Sequence, residues 1–265
     1  MAEAIASNKA ARPAADTAKM SVRGLTRRFG GLVAVSNVDI DLLVGEVHAV
    51  IGTNGAGKST LINMLSGEIA ASEGTIKLEG RDVTGMSQPQ RAKHGIGRSY
   101  QRTTIFPEFT VLENCRLTAQ AQVRPRPWFI WEPSQHCAAS MERAHHALER
   151  AGLAHQAQRT AGSLSHGAKR QLEVAMCLAT EPQVLLLDEP LAGMGAEETE
   201  RMLALLEELK QGHAVLLVEH DMDAVFRIAD RITVMVNGTV VATGTPDQIR
   251  VDPVVRTAYL GEDHA

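Results

Sequence analysis

The fold is decided by the stretch Gly52-Thr53-Asn54-Gly55-Ala56-Gly57-Lys58-Ser59-Thr60, which matches the pattern G-x-x-x-x-G-K-[ST]. The apolar run Val47–Ile51 enters it, and apolar residues at helical spacing follow from Leu61. Glycines let successive backbone N–H groups turn toward phosphate oxygens, and the N-terminus of the next helix adds partial positive charge. Strand, loop and helix in this order predict a phosphate-binding loop rather than a glycine-rich turn with a chance lysine.

The polar residues of this loop have distinct expected roles. We expect Lys58 to reach the β- and γ-phosphates of a nucleoside triphosphate and the Ser59 hydroxyl to bind Mg²⁺. The residues of the loop predicted to bind the nucleotide are Gly52, Asn54, Gly55, Ala56, Gly57, Lys58, Ser59 and Thr60.

The size and composition of the chain fit an ordinary globular protein. Its 265 residues suffice for one large domain or for a core with an inserted lobe. Hydrophobic residues make up 44% and aromatic residues 3%, so that Leu, Val, Ile, Ala and Met must fill the core. The formal net charge of −4 argues against a protein that coats nucleic acid, because such a surface would be basic.

The cysteines and the N-terminal segment indicate neither a disulfide framework nor a secretion signal. Cys115, Cys137 and Cys177 are widely spaced and form no C-x-x-C, so we expect buried or idle thiols in a reducing compartment. No apolar stretch approaches the roughly 18 residues that a membrane span needs. Residues 1–20 are Ala-rich and polar, and we interpret them as a disordered lead-in to a domain over residues 21–265.

Short apolar runs predict two β layers. Those near the phosphate loop suggest an antiparallel layer, whereas the fully apolar Gln183–Leu187 and Ala214–Val218 are typical of a buried parallel sheet. Asn237-Gly238 predicts a hairpin. The predicted strands are Val22–Phe29, Val38–Leu43, Val47–Ile51, Thr75–Leu78, Ile96–Tyr100, Gln183–Leu187, Ala214–Val218, Ile232–Val236 and Thr239–Ala242.

Helical patterns dominate between about residues 102 and 179. The segment between the first two of these helices holds three prolines, which forbid a continuous helix, and both tryptophans, Trp128 and Trp131. It is either a loop pinned to the lobe by its Trp side chains or a partner contact. The predicted helices along the chain are Gln88–His94, Thr110–Gln120, Gln135–Ala151, Ser165–Leu178, Glu197–Lys210 and the segment that Asp221 caps, to Ile228.

Two carboxylates, Asp188 and Glu189, follow the apolar strand Val184–Leu187 in a Walker B arrangement. We expect Asp188 to hold Mg²⁺, through water, and Glu189 to orient and polarise the attacking water. Two adjacent acids after a strand are often only a solvated turn. Together with the phosphate loop they predict a hydrolytic site.

The stretch Leu164-Ser165-His166-Gly167-Ala168 resembles the LSGGQ signature of ATP-binding-cassette (ABC) ATPases. The other family marks follow in order, and the resemblance covers about residue 21 to the C-terminus. It implies an α/β fold with a P-loop NTPase (RecA-like) core, an antiparallel β subdomain and an α-helical subdomain inserted at about residues 102–179. The matching positions are Phe29 (adenine stacking), Gln101 (Q-loop), residues 191–195 (D-loop) and His220 (switch histidine).

The resemblance also implies how the site works. Gln101 joins Ser59 and Asp188 at Mg²⁺, and Lys58, Glu189 and His220 form the catalytic set. Ser165 and the backbone N–H of Gly167 face the ATP of a partner subunit, so that the functional dimer buries two ATP molecules. Phe29 has one alternative, a place in the core.

The signature and D-loop depart from the family pattern at several positions. The family has Gly where His166 stands and Gln where Ala168 stands. Gly195 replaces the usual D-loop Asp, which puts the coupling of the two sites in doubt and is compatible with pairing to a second, different ATPase. Thr53 replaces a frequent Pro, with little expected effect.

Several stretches, among them Arg98–Gln101, Ile105–Pro107 and Thr110–Asn114, resemble the ATPases of branched-chain amino acid importers. Importers of urea or short amides are the alternative cargo class. The implied partners are a second ABC ATPase subunit, identical or different, two transmembrane permease subunits and, indirectly, a periplasmic substrate-binding protein. The implied location is the cytoplasmic face of the inner membrane, peripheral through the permease, with ATP and Mg²⁺ as cofactors and no nucleic acid.

Two rival functions differ in class. A soluble ABC ATPase acting on nucleic acid or ribosomes usually carries two fused cassettes or a long coiled-coil insertion, and this sequence shows neither. A P-loop kinase or GTPase acting alone is disfavoured by the signature segment and by His220.

Overall fold

The fold was analysed in a computed structural model that describes residues 18–101, 104–123 and 138–257. The predicted lead-in up to residue 17, Cys137 and the segment with Trp128 and Trp131 lie outside these residues. Within them the strands are β1 (Met20–Phe29), β2 (Leu32–Leu42), β3 (Val47–Gly52), β4 (Glu73–Leu78), β5 (Arg81–Asp82), β6 (Ile96–Arg98), β7 (Val184–Asp188), β8 (Ala214–Val218), β9 (Arg231–Val236) and β10 (Thr239–Gly244). The helices are α1 (Lys58–Ser66), α2 (Gln88–Lys93), α3 (Val111–Val123), α4 (Ala138–Arg150), α5 (His166–Leu178), α6 (Ala196–Lys210), α7 (Met222–Ile228), α8 (Pro246–Val251) and α9 (Pro253–Val255).

The larger sheet has the order β10-β9-β3-β8-β7-β6. Its strands run parallel except β10, which pairs antiparallel with β9. Every residue of β3, β7 and β8 is buried, because both faces of the sheet are covered, one by α5 and α6 and the other by α1 and the smaller sheet. The predicted buried parallel sheet is confirmed. The predicted hairpin is confirmed too, with positive φ at both Asn237 and Gly238.

The smaller sheet is antiparallel, with the order β2-β1-β4-β5. Its inner face packs on α1 and the larger sheet in one core cluster, which includes Val22, Leu25, Val50 and Leu61. This is the predicted antiparallel layer beside the phosphate loop.

The chain between β6 and β7 forms a helical lobe of α3, α4 and α5. Small residues such as Ala144 and Ala147 let these helices approach, and a second core cluster joins the lobe to α6. Of the predicted inserted region, the described residues thus form the helices α3, α4 and α5. An α/β core with an antiparallel layer and a helical insertion is therefore the observed architecture.

Element boundaries differ from prediction where turns are short. β2 begins at Leu32 rather than at residue 38, because Gly30 and Gly31 form a tight hairpin turn that joins it directly to β1. β1 begins at Met20, within the predicted lead-in, and Met20 is fully buried. β6 ends at Arg98, two residues early, where the chain leaves the sheet toward Gln101. The short elements β5, α8 and α9 were not predicted.

Candidate functional site

The phosphate loop joins β3 to α1, and two of its glycines have no room for a side chain. A Cβ at Gly52 would fall on the Met235 carbonyl oxygen, and one at Gly57 would lie 2.5 Å from the Ala34 oxygen. Both residues have positive φ, as does Gly55, so L side chains are strained there. The loop is thus shaped by its glycines, with the α1 N-terminus at Lys58. Its backbone curvature suits a bound anion.

The Lys58 side chain folds back across this loop. Its Nζ donates to the Gly52 oxygen at 2.6 Å and to the Thr53 oxygen at 3.1 Å. Burial lowers the pKa of Lys58, and the nearby carboxylates of Glu189 and Asp188 oppose that shift. Ser59, by contrast, is exposed at the start of α1. A cation and a hydroxyl therefore flank the curled backbone, as expected.

Asp188 ends β7 and is buried beside the loop. Burial raises the pKa of its carboxyl, whereas the positive charges of Arg98 and Lys58 lower it. The Arg98 guanidinium lies 3.9 Å from Asp188 and also donates to Ser66 of α1 at 2.6 Å. Arg98 thereby ties the loop helix to the acidic strand end, a contact that the sequence did not reveal.

Glu189 lies between Gln101 and His220. The Gln101 amide donates to Glu189 Oε2 at 3.0 Å, and His220 Nδ1 lies 3.7 Å from Glu189 Oε1. Glu189 also has a left-handed backbone, with φ of 49°, which is strained for a residue with a side chain. The structure thus brings together three residues that the sequence separates by 88 and 31 positions.

Glu219 is a buried acid whose role the sequence analysis missed. Its carboxylate accepts from the backbone N–H of Leu191 at 2.8 Å and of His220 at 3.2 Å. Burial raises its pKa, and these two hydrogen bonds lower it. Glu219 therefore fixes the backbone at Leu191, just after Glu189, and at His220, in the loop beside it. The sequence signal that could have identified Glu219 is its position directly after the fully apolar strand β8.

The sequence analysis also missed an ion pair on α5, formed by Arg170 and Glu173. The buried Arg170 donates to the backbone oxygens of Tyr100 and Gln101, at 3.1 and 2.9 Å, and to Glu173 at 2.8 Å. Glu173 in turn accepts from the N–H of Thr104. The signature helix thus holds the chain on both sides of the Q-loop.

The signature residues lie at the N-terminus of α5, where Ser165 is the N-cap as predicted. In the part of the chain that the structure describes, Ser165 contacts Ala168 and Glu198, and no hydrogen bond joins it to the phosphate loop. His166, which replaces the family Gly, contacts the Ala192 oxygen through Nε2 at 3.0 Å. The Ser165 hydroxyl therefore contacts α6 rather than the phosphate loop of the same chain.

Phe29 ends β1 with 42% of its surface exposed, so it is not a core residue. The Arg27 guanidinium lies 4.5 Å from its ring centroid. One exposed aromatic face is suited to stacking on a planar base.

The described part of the chain holds neither a cluster of metal-binding side chains nor a membrane-spanning helix. In the described ranges no group of three or more His, Cys, Asp and Glu side chains could by itself hold a metal ion. Mg²⁺ commonly uses one or two protein ligands with phosphates and water, so Ser59, Asp188 and Gln101 suit it. None of the helices within these ranges has the length and apolar character needed to cross a membrane.

Comparisons with known proteins agree with this geometry. Residues 35–192 match the family described as ABC transporter, and residues 239–265 match the family described as branched-chain amino acid ATP-binding cassette transporter. The chain is 43% identical over 249 residues to LivG, the high-affinity branched-chain amino acid transport ATP-binding protein of Escherichia coli K12, covering 92% of this chain and 98% of LivG. The corresponding protein BraF of Pseudomonas aeruginosa is 41% identical over 254 residues, with the same coverage.

Solved structures give the same result. A nucleotide-free ATP-binding cassette from an ABC transporter superposes with a TM-score of 0.82 at 31% identity, covering 92% of this chain and 100% of the other. A cassette in its ADP conformation superposes with a TM-score of 0.80 at 31% identity, covering 92% and 99%. The predicted P-loop NTPase fold is confirmed. By these matches the chain belongs to the ABC transporter family, as a nucleotide-binding ATPase.

Proposed function

We propose that this chain powers the import of branched-chain or other hydrophobic amino acids through a membrane permease. The observation that carries this proposal is the similarity to LivG along 98% of LivG's length. The match of residues 239–265 to a branched-chain amino acid transporter family supports the same cargo over urea or short amides.

We assign ATP to the loop at residues 52–60, with Phe29 stacking on the adenine. Lys58 leaves its carbonyl partners to neutralise charge on the β- and γ-phosphates. Mg²⁺, held by Ser59, Gln101 and Asp188, would supply charge neutralisation at the phosphate oxygens. The closeness of Lys58 to both carboxylates supports this assignment.

In this proposal Glu189 is the general base. Its carboxylate orients the attacking water and takes up the water's proton as the oxygen bonds to the γ-phosphorus. The bond between that phosphorus and the β–γ bridging oxygen breaks, and ADP leaves. Gln101 holds one oxygen of this carboxylate, and the exposed His220 ring beside the other donates a hydrogen bond to the γ-phosphate. The backbone strain at Glu189 is consistent with a residue fixed for catalysis.

The signature residues complete the site of a partner subunit. Ser165 and the Gly167 N–H would bind the γ-phosphate of ATP held by the opposing cassette, which is either identical or different. Among the described residues no hydrogen bond joins Ser165 to the phosphate loop of the same chain, which supports a site shared between two cassettes. Closure of the pair would move the helical lobes against two permease subunits, with a periplasmic binding protein delivering the cargo. The chain would then lie at the cytoplasmic face of the membrane.

The test is transport by the intact assembly. A tagged chain isolated from detergent-extracted membranes of its own host should bring permease subunits with it. In proteoliposomes this assembly should take up labelled leucine when ATP is supplied on the cassette side, and the Glu189→Gln variant should not. Uptake of urea instead would overturn the cargo, and co-purification of ribosomes without permease would overturn the transport role.

A further inference from the structure

The carboxylate of Glu198 lies on the phosphate-binding end of the signature helix. Glu198 Oε1 accepts from the Ser165 hydroxyl at 2.9 Å. A Cβ built on Gly167 would lie 2.5 and 2.6 Å from the two carboxylate oxygens, so the carboxylate sits directly over this glycine. Glu198 comes from the first turn of α6, 33 residues further along the chain.

The contacts of this carboxylate are those of a bound anion. The Ser165 hydroxyl and the backbone N–H groups of Gly195 and Gly167 hold the pKa of Glu198 below its usual value. The Ser165 oxygen also accepts from the Ala168 N–H, so that its own proton points to Glu198. A negative charge at this helix N-terminus is stabilised by the helix dipole.

We infer that Glu198 occupies, within its own protomer, the place that the γ-phosphate of the partner's ATP takes when two cassettes close. This inference rests on the proposed shared site. The donors are the same Ser165 hydroxyl and Gly167 N–H, and they cannot bind a carboxylate and a phosphate at once. Glu198 is then a further residue that sets the affinity of one cassette for the nucleotide of the other.

The structure also offers Glu198 a second position. A cavity beside the signature segment is lined by both Ser165 and Glu198 and by the basic side chains of Arg159 and Arg201. The positive charge of Arg201 already contributes to the lowered pKa of Glu198. Leaving the signature helix, the carboxylate can turn toward Arg201, one helical turn along α6.

Displacement is required because two negative groups repel each other at this distance. Each closing dimer of two copies of this chain must move two Glu198 carboxylates, one for each ATP. Removal of the carboxylate leaves the Ser165 and Gly167 donors free and should therefore strengthen ATP-dependent association. Glu200, on the same helix, is a matched control, since its exposed carboxylate pairs with Arg227 of α7 at 2.7 Å rather than with the signature or with Arg201.

The experiment measures ATP-dependent dimerisation of the full chain carrying Glu189→Gln, which prevents turnover. Sedimentation velocity with saturating Mg·ATP gives the dimer dissociation constant for this parent and for added Glu198→Ala, Glu198→Gln or Glu200→Ala. Since hydrogen bonds to a charged group are lost at both sites of each dimer, we expect Glu198→Ala to lower that constant about tenfold or more. Glu198→Gln, which keeps the side-chain length, should lower it by a smaller factor, and Glu200→Ala should leave it within about twofold.

Results that contradict the role of Glu198 can be distinguished from results that contradict the shared site. An unchanged or raised dissociation constant in both Glu198 variants, with a dimer in the parent that Ser165→Ala weakens, would overturn the inference and leave the shared site intact. Absence of any ATP-dependent dimer in the parent would overturn a site shared between two copies of this chain, and with it the inference drawn for that dimer. Melting temperatures within a few degrees of the parent would confirm that each variant is folded.

Discussion

Glu189 and His220 approach to 3.7 Å because they follow two adjacent strands of the parallel sheet. The register pairs Asp188 of β7 with Val218 of β8, so the chain leaves both strands at the same edge. Glu219, between Val218 and His220, turns inward and fixes the two loop backbones. The geometry of this proposed catalytic pair is therefore a consequence of strand register, and one buried carboxylate fixes it.

The Glu189→Gln variant should bind ATP and dimerise but hydrolyse it at least about 10²-fold more slowly, as expected for loss of a general base. The amide retains the size of the side chain and can still contact Gln101, so stability should change little. Steady-state phosphate release at saturating Mg·ATP measures the effect. Full turnover by this variant would remove Glu189 from its assigned role.

The Glu219→Ala variant should lose about 2 kcal/mol of unfolding free energy, because the buried N–H of Leu191 and the part-buried N–H of His220 then lose their acceptor. Its kcat should fall more than its KM for ATP rises, since the misplaced groups are the Leu191 and His220 backbones rather than the phosphate loop. Urea unfolding and ATPase kinetics measure both. Exposed Glu142 on α4 provides the control, Glu142→Ala, which should change neither. A stable and fully active Glu219→Ala protein would contradict the bracing role.

The Arg170→Met variant should be destabilised by about 3 kcal/mol, because it leaves the buried Glu173 carboxylate without its positive partner. Adding Glu173→Leu should restore most of this stability. We expect the double variant to remain slow in ATP hydrolysis and to need more Mg²⁺ for half-maximal rate, because the Gln101 backbone has lost its anchor.

Thermal unfolding and Mg²⁺ titration of the ATPase rate separate the two effects. If the double variant regained both stability and the parent's Mg²⁺ dependence, the pair would have only a structural role. If it regained neither, the loss of the Thr104 contact of Glu173 would be the dominant effect.

Much of this architecture could be predicted because it is encoded locally. Ala214–Val218 was predicted with the bounds of β8, since a five-residue apolar run admits little else. The Ser165 N-cap followed from a hydroxyl before a helical pattern, and the Asp221 side chain caps α7 in the same way.

The unpredicted contacts join residues far apart in sequence. Glu198 meets Ser165 across 33 positions, and Arg170 meets the Gln101 backbone across 69. No periodicity or capping rule pairs such residues, because packing of α6 and α5 determines which polar groups meet. The same reason explains why the role of Glu219 was missed, since it meets the Leu191 N–H across 28 positions.

The last prediction concerns His48, which is buried in β3 between the two sheets. Its Nδ1 faces the Asp41 carbonyl at 3.3 Å, and Nε2 lies 2.8 Å from the Thr233 hydroxyl. A carbonyl can only accept, so Nδ1 carries the proton and Nε2 accepts from Thr233. Burial lowers the pKa of His48 to about 4, although its hydrogen bond to Asp41 opposes the shift.

The depressed pKa makes stability fall with acidification. Between about pH 6.5 and 4 the unfolded chain binds a proton at this residue and the folded chain does not, so the penalty is absent above pH 6.5 and grows to about 3 kcal/mol near pH 4. His48→Gln removes the titration while keeping an amide that can donate and accept. Urea unfolding of both proteins across this range should show that the unfolding free energy of the parent falls more steeply as the pH is lowered. The difference in slope should correspond to up to one proton bound per molecule on unfolding. Parallel curves would contradict the prediction. They would mean that His48, although buried between Asp41 and Thr233, is protonated in the folded chain as easily as in the unfolded chain.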